Sequence, residues 1–520
     1  MKINFASHKN IKEIDSSVLV MFLSEEYIKN FVKVNGLCTC GNDCKCGDNC
    51  KCDKCPIQQS IYDYDFKGKF LEIASVGSKA KNFNKVILIG LGKEKELDPV
   101  KAEQIGYKAF KYLNSNKVKN ATFLFNTTIE KDGKIKYEKE IFYSNLVFGF
   151  SMAEYNFNKY FTGDKKKENK FTQAIFVAND VKVLQKQHKE NEIIKENVFF
   201  CRDLINEPSN TIYPESYAKM CKELEKLGVE VEILKEKDMQ KLGMGSLLAV
   251  GQGSDNESLM VILKYTGNKK SKDQPLAFIG KGITFDSGGL SLKPSSAMDT
   301  MKCDMSGSAV VMSLIRLLAQ RKAKVNAIGV MPLVENMPSG KAVKVGDIVK
   351  SMSGQTIEVL NTDAEGRMIL ADAIYYAVSK FDPKIVIDLA TLTGAICIAL
   401  GEKYAGLFTN NDELSKELTK AGESTGETLW RMPLSPLGGF YDRLIDSEFA
   451  DVRNTGKTRD GGSITAAQFL QRFTNKHKKW AHIDIAATAY LNQEGFLTQK
   501  NASGYGVRLL NKLIEDNYEK

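Results

Sequence analysis

Leu276-Ala277-Phe278-Ile279-Gly280-Lys281-Gly282-Ile283-Thr284-Phe285-Asp286-Ser287-Gly288-Gly289-Leu290-Ser291-Leu292-Lys293 begins as an apolar run and ends as a glycine-rich loop carrying an aspartate and a lysine. The run Leu276 to Ile279 reads as a buried strand, and the ends of such strands are where α/β folds collect their chemistry. Asp304 follows; Ser306 to Gln320 then has helical periodicity, and Val325 to Pro332 reads as another strand. Strand, helix and strand in that order predict an α/β sheet with polar residues gathered at one edge.

A second charged stretch, Asn361-Thr362-Asp363-Ala364-Glu365-Gly366-Arg367, follows the β-branched run Thr356 to Leu360. Read as a continuation of that strand, it turns Asp363, Glu365 and Arg367 to one face. Two carboxylates held that close repel unless a cation lies between them, and a divalent metal bound by oxygen ligands is the usual solution. Blander readings exist: Asp286 as a helix cap, Asp363 and Glu365 as a solvated edge, Arg367 as a structural partner of Asp372.

The same alternation extends outward. Val18 to Leu23, Phe70 to Val76, Val86 to Gly90, Ala121 to Phe125 and Ala174 to Ala178 read as strands, with Pro99 to Leu113 and Ile141 to Tyr155 as helices. This predicts a small N-terminal α/β domain over residues 1–180. A lysine- and glutamate-rich helix over residues 181–206 then forms a stiff connector ended by Pro208. Leu259 to Leu263, Leu276 to Ile279, Val325 to Val330, Ile385 to Leu389 and Tyr404 to Phe408 alternate with helices through residues 207–520. That larger part is expected to be a mostly parallel sheet flanked by helices.

The two charged blocks together resemble the leucyl aminopeptidase family, the cytosolic two-metal exopeptidases. The stretch from Asn361 to Arg367 matches the family signature, and Lys281, Asp286, Lys293 and Asp304 match its first block in identity and spacing. Gly243-Met244-Gly245-Ser246, Gly461 to Ala467 and Trp480 to Ala486 extend the likeness over roughly the C-terminal three-fifths of the chain. The resemblance implies one metal held by Lys281, Asp286, Asp304 and Glu365, and a second held by Asp286, Asp363 and Glu365 with the Asp363 carbonyl. Zinc, manganese and cobalt are the candidate ions. It further implies that Lys293 polarises the scissile carbonyl and that Arg367 holds a bicarbonate as general base. A metal-bridged hydroxide would then remove N-terminal, leucine-like residues from short peptides.

Charge counting agrees with that implication. Four carboxylates balance two divalent ions, and Lys293 with Arg367 leave a positive excess suited to an anion. Lysine is an unusual ligand, because only the neutral amine has a lone pair; deprotonating Lys281 at pH 7 costs roughly 4.6 kcal/mol. The resemblance also puts Met301, Thr391, Gly394 and Ala487 in a specificity pocket and Leu392 beside the substrate backbone, with core packing as the alternative for Met301. It implies a homohexamer and a non-catalytic N-terminal domain.

Composition narrows the alternatives. A chain of 520 residues with 43% hydrophobic content suits two domains. No apolar run reaches the roughly 20 residues of a membrane span, and Met1-Lys2-Ile3-Asn4 leads into no signal-peptide core, so a cytoplasmic location is expected. The net charge of +9 is spread along the chain without aromatic interleaving, so nucleic acid is not indicated. Only four histidines are present, none with HExxH spacing, and His482 reads as a satisfied core residue.

One segment departs from the family pattern. Cys38, Cys40, Cys44, Cys46, Cys50, Cys52 and Cys55 put seven of eleven cysteines into eighteen residues, resembling metallothionein. Thiolate binding of a soft metal is the reading preferred over disulfides, since neighbouring cysteines are too close to bridge one another. Two further functions therefore stand beside the aminopeptidase: a metal-sequestering or regulatory protein, and a dipeptidase acting on cysteinylglycine.

Overall fold

The computed structural model describes residues 1–8, 14, 16–34, 64–78, 83–125, 139–166, 168–270 and 273–519, so the cysteine run Cys38 to Cys55 lies outside the described residues. The chain divides into two compact units, Met1–Lys195 with Phe496–Thr498, and Glu196–Gly495 with Gln499–Lys520. The division falls within the helix Val181–Asn206.

The first unit is built on a six-stranded sheet in the spatial order Lys2–Ser7, Gln173–Ala178, Asn120–Leu124, Val18–Ser24, Lys85–Gly92, Ile73–Gly77. Every pairing is parallel except the last. Phe70 and Leu71, read above as strand, lie in a turn where Leu71 has φ 61°, and the strand begins at Ile73. Pro99–Ser115 starts as its sequence dictates: Asp98 accepts from the Lys101 amide at 2.7 Å and Pro99 takes the first helical position. It packs on Lys139–Met152 at two glycines: a Cβ on Gly106 would lie 1.9 Å from the Leu146 carbonyl, and one on Gly149 2.0 Å from that of Glu103. Beneath them Phe123 stacks on Phe176 at 4.5 Å and meets Phe150 edge-on at 4.9 Å.

The second unit holds a nine-stranded sheet ordered Leu429–Arg431, Ala405–Thr409, Trp480–Asp484, Ile385–Ala390, Leu276–Gly280, Asn326–Asn336, Leu259–Thr266, Glu230–Lys235, with Gly282–Asp286 also paired to Asn326–Asn336. Its central strands run parallel, and the antiparallel pairings lie toward the edges. Val507–Asn517 packs against both Ser306–Gln320 and Asp412–Thr425, and Glu365–Phe381 packs against both Gly245–Gly251 and Gly462–Gln471. This is the mixed α/β architecture expected from the sequence, a mostly parallel sheet flanked by helices.

Two local readings change. The chain does not run from Ile279 straight into a loop: Gly282–Asp286 is a second strand, and the loop begins at Ser287. Nor does it stay extended through Asp363, Glu365 and Arg367. The strand Thr356–Glu358 ends, and the buried Asn454 amide takes over from the ladder, accepting from the Leu360 amide at 2.9 Å and donating to the Asn361 carbonyl at 2.7 Å. Asn361 Oδ1 then accepts from the Asp363 amide at 2.9 Å, a side-chain turn that starts the helix Glu365–Phe381. Ile369, Leu370, Ala373, Ile374 and Ala377 are fully buried along this helix, and that apolar periodicity outweighs the local alternation of charges.

Candidate metal centre

The acidic residues converge at the C-terminal ends of the parallel strands. Lys281 lies in the break between Leu276–Gly280 and Gly282–Asp286, and Asp286 closes the second strand. Asp304 follows the short turn Met301–Cys303, ahead of Ser306–Gln320. Asp363 sits in the turn before Glu365–Phe381, and Glu365 is that helix's first residue.

Glycines make the approach of these segments sterically feasible. A Cβ on Gly288 (φ 85°) would lie 2.5 Å from the Ser291 carbonyl and 2.7 Å from Asp363 Oδ1. A Cβ on Gly366 would lie 2.5 Å from Lys281 Cε, so this glycine leaves the channel in which the lysine side chain runs.

Two ammonium groups knit the four carboxylates together. Lys281 Nζ is 2.7 Å from Asp304 Oδ1 and 2.8 Å from Glu365 Oε1; Lys293 Nζ is 2.8 Å from Asp286 Oδ2 and 2.6 Å from Asp363 Oδ1. All but Asp363 and Lys293 are buried. Burial opposes the charge on Lys281, yet Asp304, Glu365 and Asp286 overcome it and push its pKa up; Lys293 is pushed up in the same way, chiefly by Asp286. Burial lifts Asp304 far above the ordinary carboxylate range, and it also lifts Asp363 and Glu365.

The donor set suits divalent ions. Oxygens of Asp286, Asp363 and Glu365 lie within 4.8 Å of one another, and Asp304 Oδ2 is buried with no hydrogen-bond partner. Carboxylate oxygens in such a multiply charged set are what hard divalent cations take, and Lys281 would join them only on giving up the proton that these carboxylates hold on it.

The other residues singled out in the sequence take varied positions. Arg367 is buried, its Nε has no hydrogen-bond partner, and burial lowers its pKa to about 10 against the pull of Glu365 and Asp484. Asp372 is engaged by the Met352 and Leu247 amides at 2.7 and 2.9 Å. Thr391 joins the cluster directly, its hydroxyl donating to Asp304 Oδ1 at 2.8 Å and its carbonyl accepting from Lys281 Nζ at 3.0 Å. Leu392 is fixed through its amide to Asp484 at 3.1 Å. Met301 is half-buried in the turn before Asp304; Gly394 is exposed at the start of Gly394–Leu400, with open space around it. Ala487 is buried with Ile396, Phe408, Ile464 and Ala467. His482 is a core residue held by Asp388 at 2.6 Å, and Trp480 donates to the same carboxylate at 2.8 Å.

Sequence reading missed Asn336, Thr362, Asn454 and Asp484. Thr362 ties the two acidic loops, donating to the Gly288 carbonyl at 2.6 Å and accepting from the Ser291 amide at 2.8 Å. Asp484 accepts from Thr393 Oγ1 at 2.7 Å as well as from Leu392. The only signal each carried was a position at the end of a strand or beside the acidic motif.

Residues 199–511 match the cytosol aminopeptidase family, catalytic domain, and residues 53–163 match the N-terminal domain of the same family. A probable cytosol aminopeptidase of Bradyrhizobium sp. is 55% identical over 72% of this chain and 74% of its own length. One from Sinorhizobium fredii is 49% identical over 87% of this chain and 90% of its own. Among solved structures, a tomato leucine aminopeptidase mutant superposes with a TM-score of 0.83 at 28% identity, covering 99% of this chain and 97% of that one. The bottromycin maturation enzyme BotP in complex with Mn gives 0.79 at 27% identity, covering 96% of this chain and 99% of that one.

Proposed function

Because this chain belongs to the cytosol aminopeptidase family, we propose that it removes leucine-like residues from the N-termini of short peptides, using two divalent ions held by Lys281, Asp286, Asp304, Asp363 and Glu365. The observation that carries this reading is the convergence of four carboxylates, two of them bridged by each of two lysines, at one end of a parallel sheet. Bound ions supply Lewis acidity to a peptide carbonyl and make water a stronger acid.

The chain's own groups do the rest. Lys293, the more exposed of the two lysines, polarises the scissile carbonyl and stabilises the charge that develops on its oxygen. Arg367, buried with an unpartnered Nε, would hold an anion such as bicarbonate, and such an anion would supply a general base beside the attacking water. Met301, Thr391, Gly394 and Ala487 would line an apolar specificity pocket, with Leu392 beside the substrate backbone.

Zinc, manganese and cobalt all suit the site, and the BotP complex with Mn supports manganese among them. A cytoplasmic location accords with the names of the relatives, and no helix among the described residues is long and apolar enough to cross a membrane. The assembly proposed is a homohexamer, and large apolar side chains left in solvent on the single chain, including Phe440 at 72% and Phe449 at 75% exposure, suit an interface between copies without fixing their number.

The test is leucine release from Leu-Gly. Chelated protein should be inactive, and zinc, manganese or cobalt should restore it; a metal-loaded chain that leaves Leu-Gly uncut overturns the reading. Running Cys-Gly in parallel separates the dipeptidase alternative.

The cysteine run favours a second, additional property: thiolate binding of soft metal by Cys38, Cys40, Cys44, Cys46, Cys50, Cys52 and Cys55. Deleting residues 38–55 should lower zinc per chain while leucine release persists. Unchanged zinc content would refute it.

A further inference from the structure

The acidic centre is assembled from two loops that are far apart in sequence, and one buried side chain touches both. Asn336, the last residue of Asn326–Asn336, is 2% exposed. Its Nδ2 donates to Asp286 Oδ1 at 2.8 Å and to the Thr362 carbonyl at 3.0 Å. Both partners are acceptors only, so the nitrogen of the amide, and not its oxygen, must face them. The Asn336 carbonyl in turn accepts from the Ser287 amide at 3.0 Å and the Ser287 hydroxyl at 2.7 Å. The loop wraps this amide closely: Gly289 has φ 65°, and a Cβ there would come within 2.8 Å of Asn336 Oδ1.

The consequence lies in how Asp286 is presented. Its Oδ1 already accepts from Asn336 Nδ2 and from the Gly288 amide at 2.8 Å, while Oδ2 faces the cluster, 2.8 Å from Lys293 Nζ. One carboxylate oxygen is therefore committed to the protein and the rotation of the group is fixed. By also holding the Thr362 carbonyl, the same amide sets the distance between Asp286 and the turn that carries Asp363. Groups that orient a ligand in this way tune cation affinity without touching the ion.

We propose that Asn336 is the positioning residue of the acidic centre, fixing Asp286 against the Thr362–Glu365 turn and thereby setting the affinity of the chain for divalent cations. This rests on the proposed metal-dependent activity only in taking the cluster as a cation site. Asn454 supplies a matched comparison. It is another fully buried asparagine that holds the same segment, through Leu360 and Asn361, but no hydrogen bond from it reaches an acid of the cluster.

The experiment titrates Mn2+ into chelated, full-length wild type, Asn336→Leu, Asn336→Ala and Asn454→Leu, and records the melting temperature of each metal-free chain. Asn336→Leu or Asn336→Ala should weaken Mn2+ binding about 10- to 100-fold, beyond any change caused by Asn454→Leu. The metal-free melting temperature should fall no further in the Asn336 variants than in Asn454→Leu. Equal Mn2+ affinity in wild type and the Asn336 variants overturns the inference. So does an equal loss in Asn454→Leu, or failure of both Asn336 variants to fold, since each would mean a purely structural role. Loaded wild type that binds Mn2+ but spares Leu-Gly would instead refute the peptidase reading and leave the affinity comparison to decide on Asn336.

Discussion

Lys293 and Lys281 are chemically identical and each touches two carboxylates, yet their surroundings separate them. Lys281 is enclosed, with 3% of its side chain exposed, whereas Lys293 is at 15% and borders the half-exposed Asp363. In the proposed function the more open ammonium is the one that meets the substrate. Lys293→Met should therefore lower kcat for leucine release about 100-fold or more with a smaller change in KM, the pattern of a group that acts on developing charge. Steady-state kinetics on Leu-Gly checks this, and an unchanged kcat would remove Lys293 from the chemistry.

Asp372 offers a prediction about stability. Burial pushes its carboxyl up to about 7, although the Met352, Leu247 and Ser246 amides favour its charge. The unfolded chain ionises this group near 3.9, so its folded pKa is the raised one. The contribution of Asp372 to stability is greatest below about pH 4, declines as pH rises, and is spent above about pH 7, a total of roughly 4 kcal/mol. Urea unfolding of wild type and Asp372→Asn between pH 4.5 and 8 should show the variant with a shallower decline. Parallel curves would contradict the assignment.

Single positions were legible where chemistry is concentrated in a short stretch. Lys281, Asp286, Lys293, Asp304, Asp363 and Glu365 stand out because strand ends and glycines surround charged groups, and the structure does bring them together. Asn336 and Asn454 were not legible. An asparagine at a strand end has no local mark that it will meet a partner 50 or 93 residues away.

Among the elements, the helix Glu365–Phe381 carries the main lesson. Charges on alternate residues suggested an extended edge, but the buried apolar residues that follow at helical spacing decide the conformation. Its second residue turns general propensity on its head. Alanine normally stabilises a helix by about 1 kcal/mol relative to glycine. At Gly366 the added Cβ would meet Lys281 Cε at 2.5 Å, and Lys281 cannot retreat without leaving Asp304 and Glu365. Gly366→Ala should thus give no gain in melting temperature and at least a tenfold loss of leucine release. A more stable, fully active variant would show that the lysine has room to move.

For the complete chain, alternation of strands and helices was enough to foresee the mostly parallel sheet, because buried parallel strands leave apolar runs that periodicity detects. Assembly left no such trace. Light scattering should report a particle six times the chain's 57.9 kDa; a monomer would leave Phe440 and Phe449 in need of another explanation.

The proposed chemistry depends above all on the acids around Lys281 and Lys293 being a site for a pair of ions. Diffraction from Mn2+-soaked crystals, recorded at the manganese absorption edge, addresses this directly. Two anomalous peaks within ligand distance of Asp286, Asp304, Asp363 and Glu365 oxygens are predicted, with both lost in Asp304→Asn/Glu365→Gln. An empty cluster in soaked wild-type crystals, or ions bound only elsewhere, would contradict it.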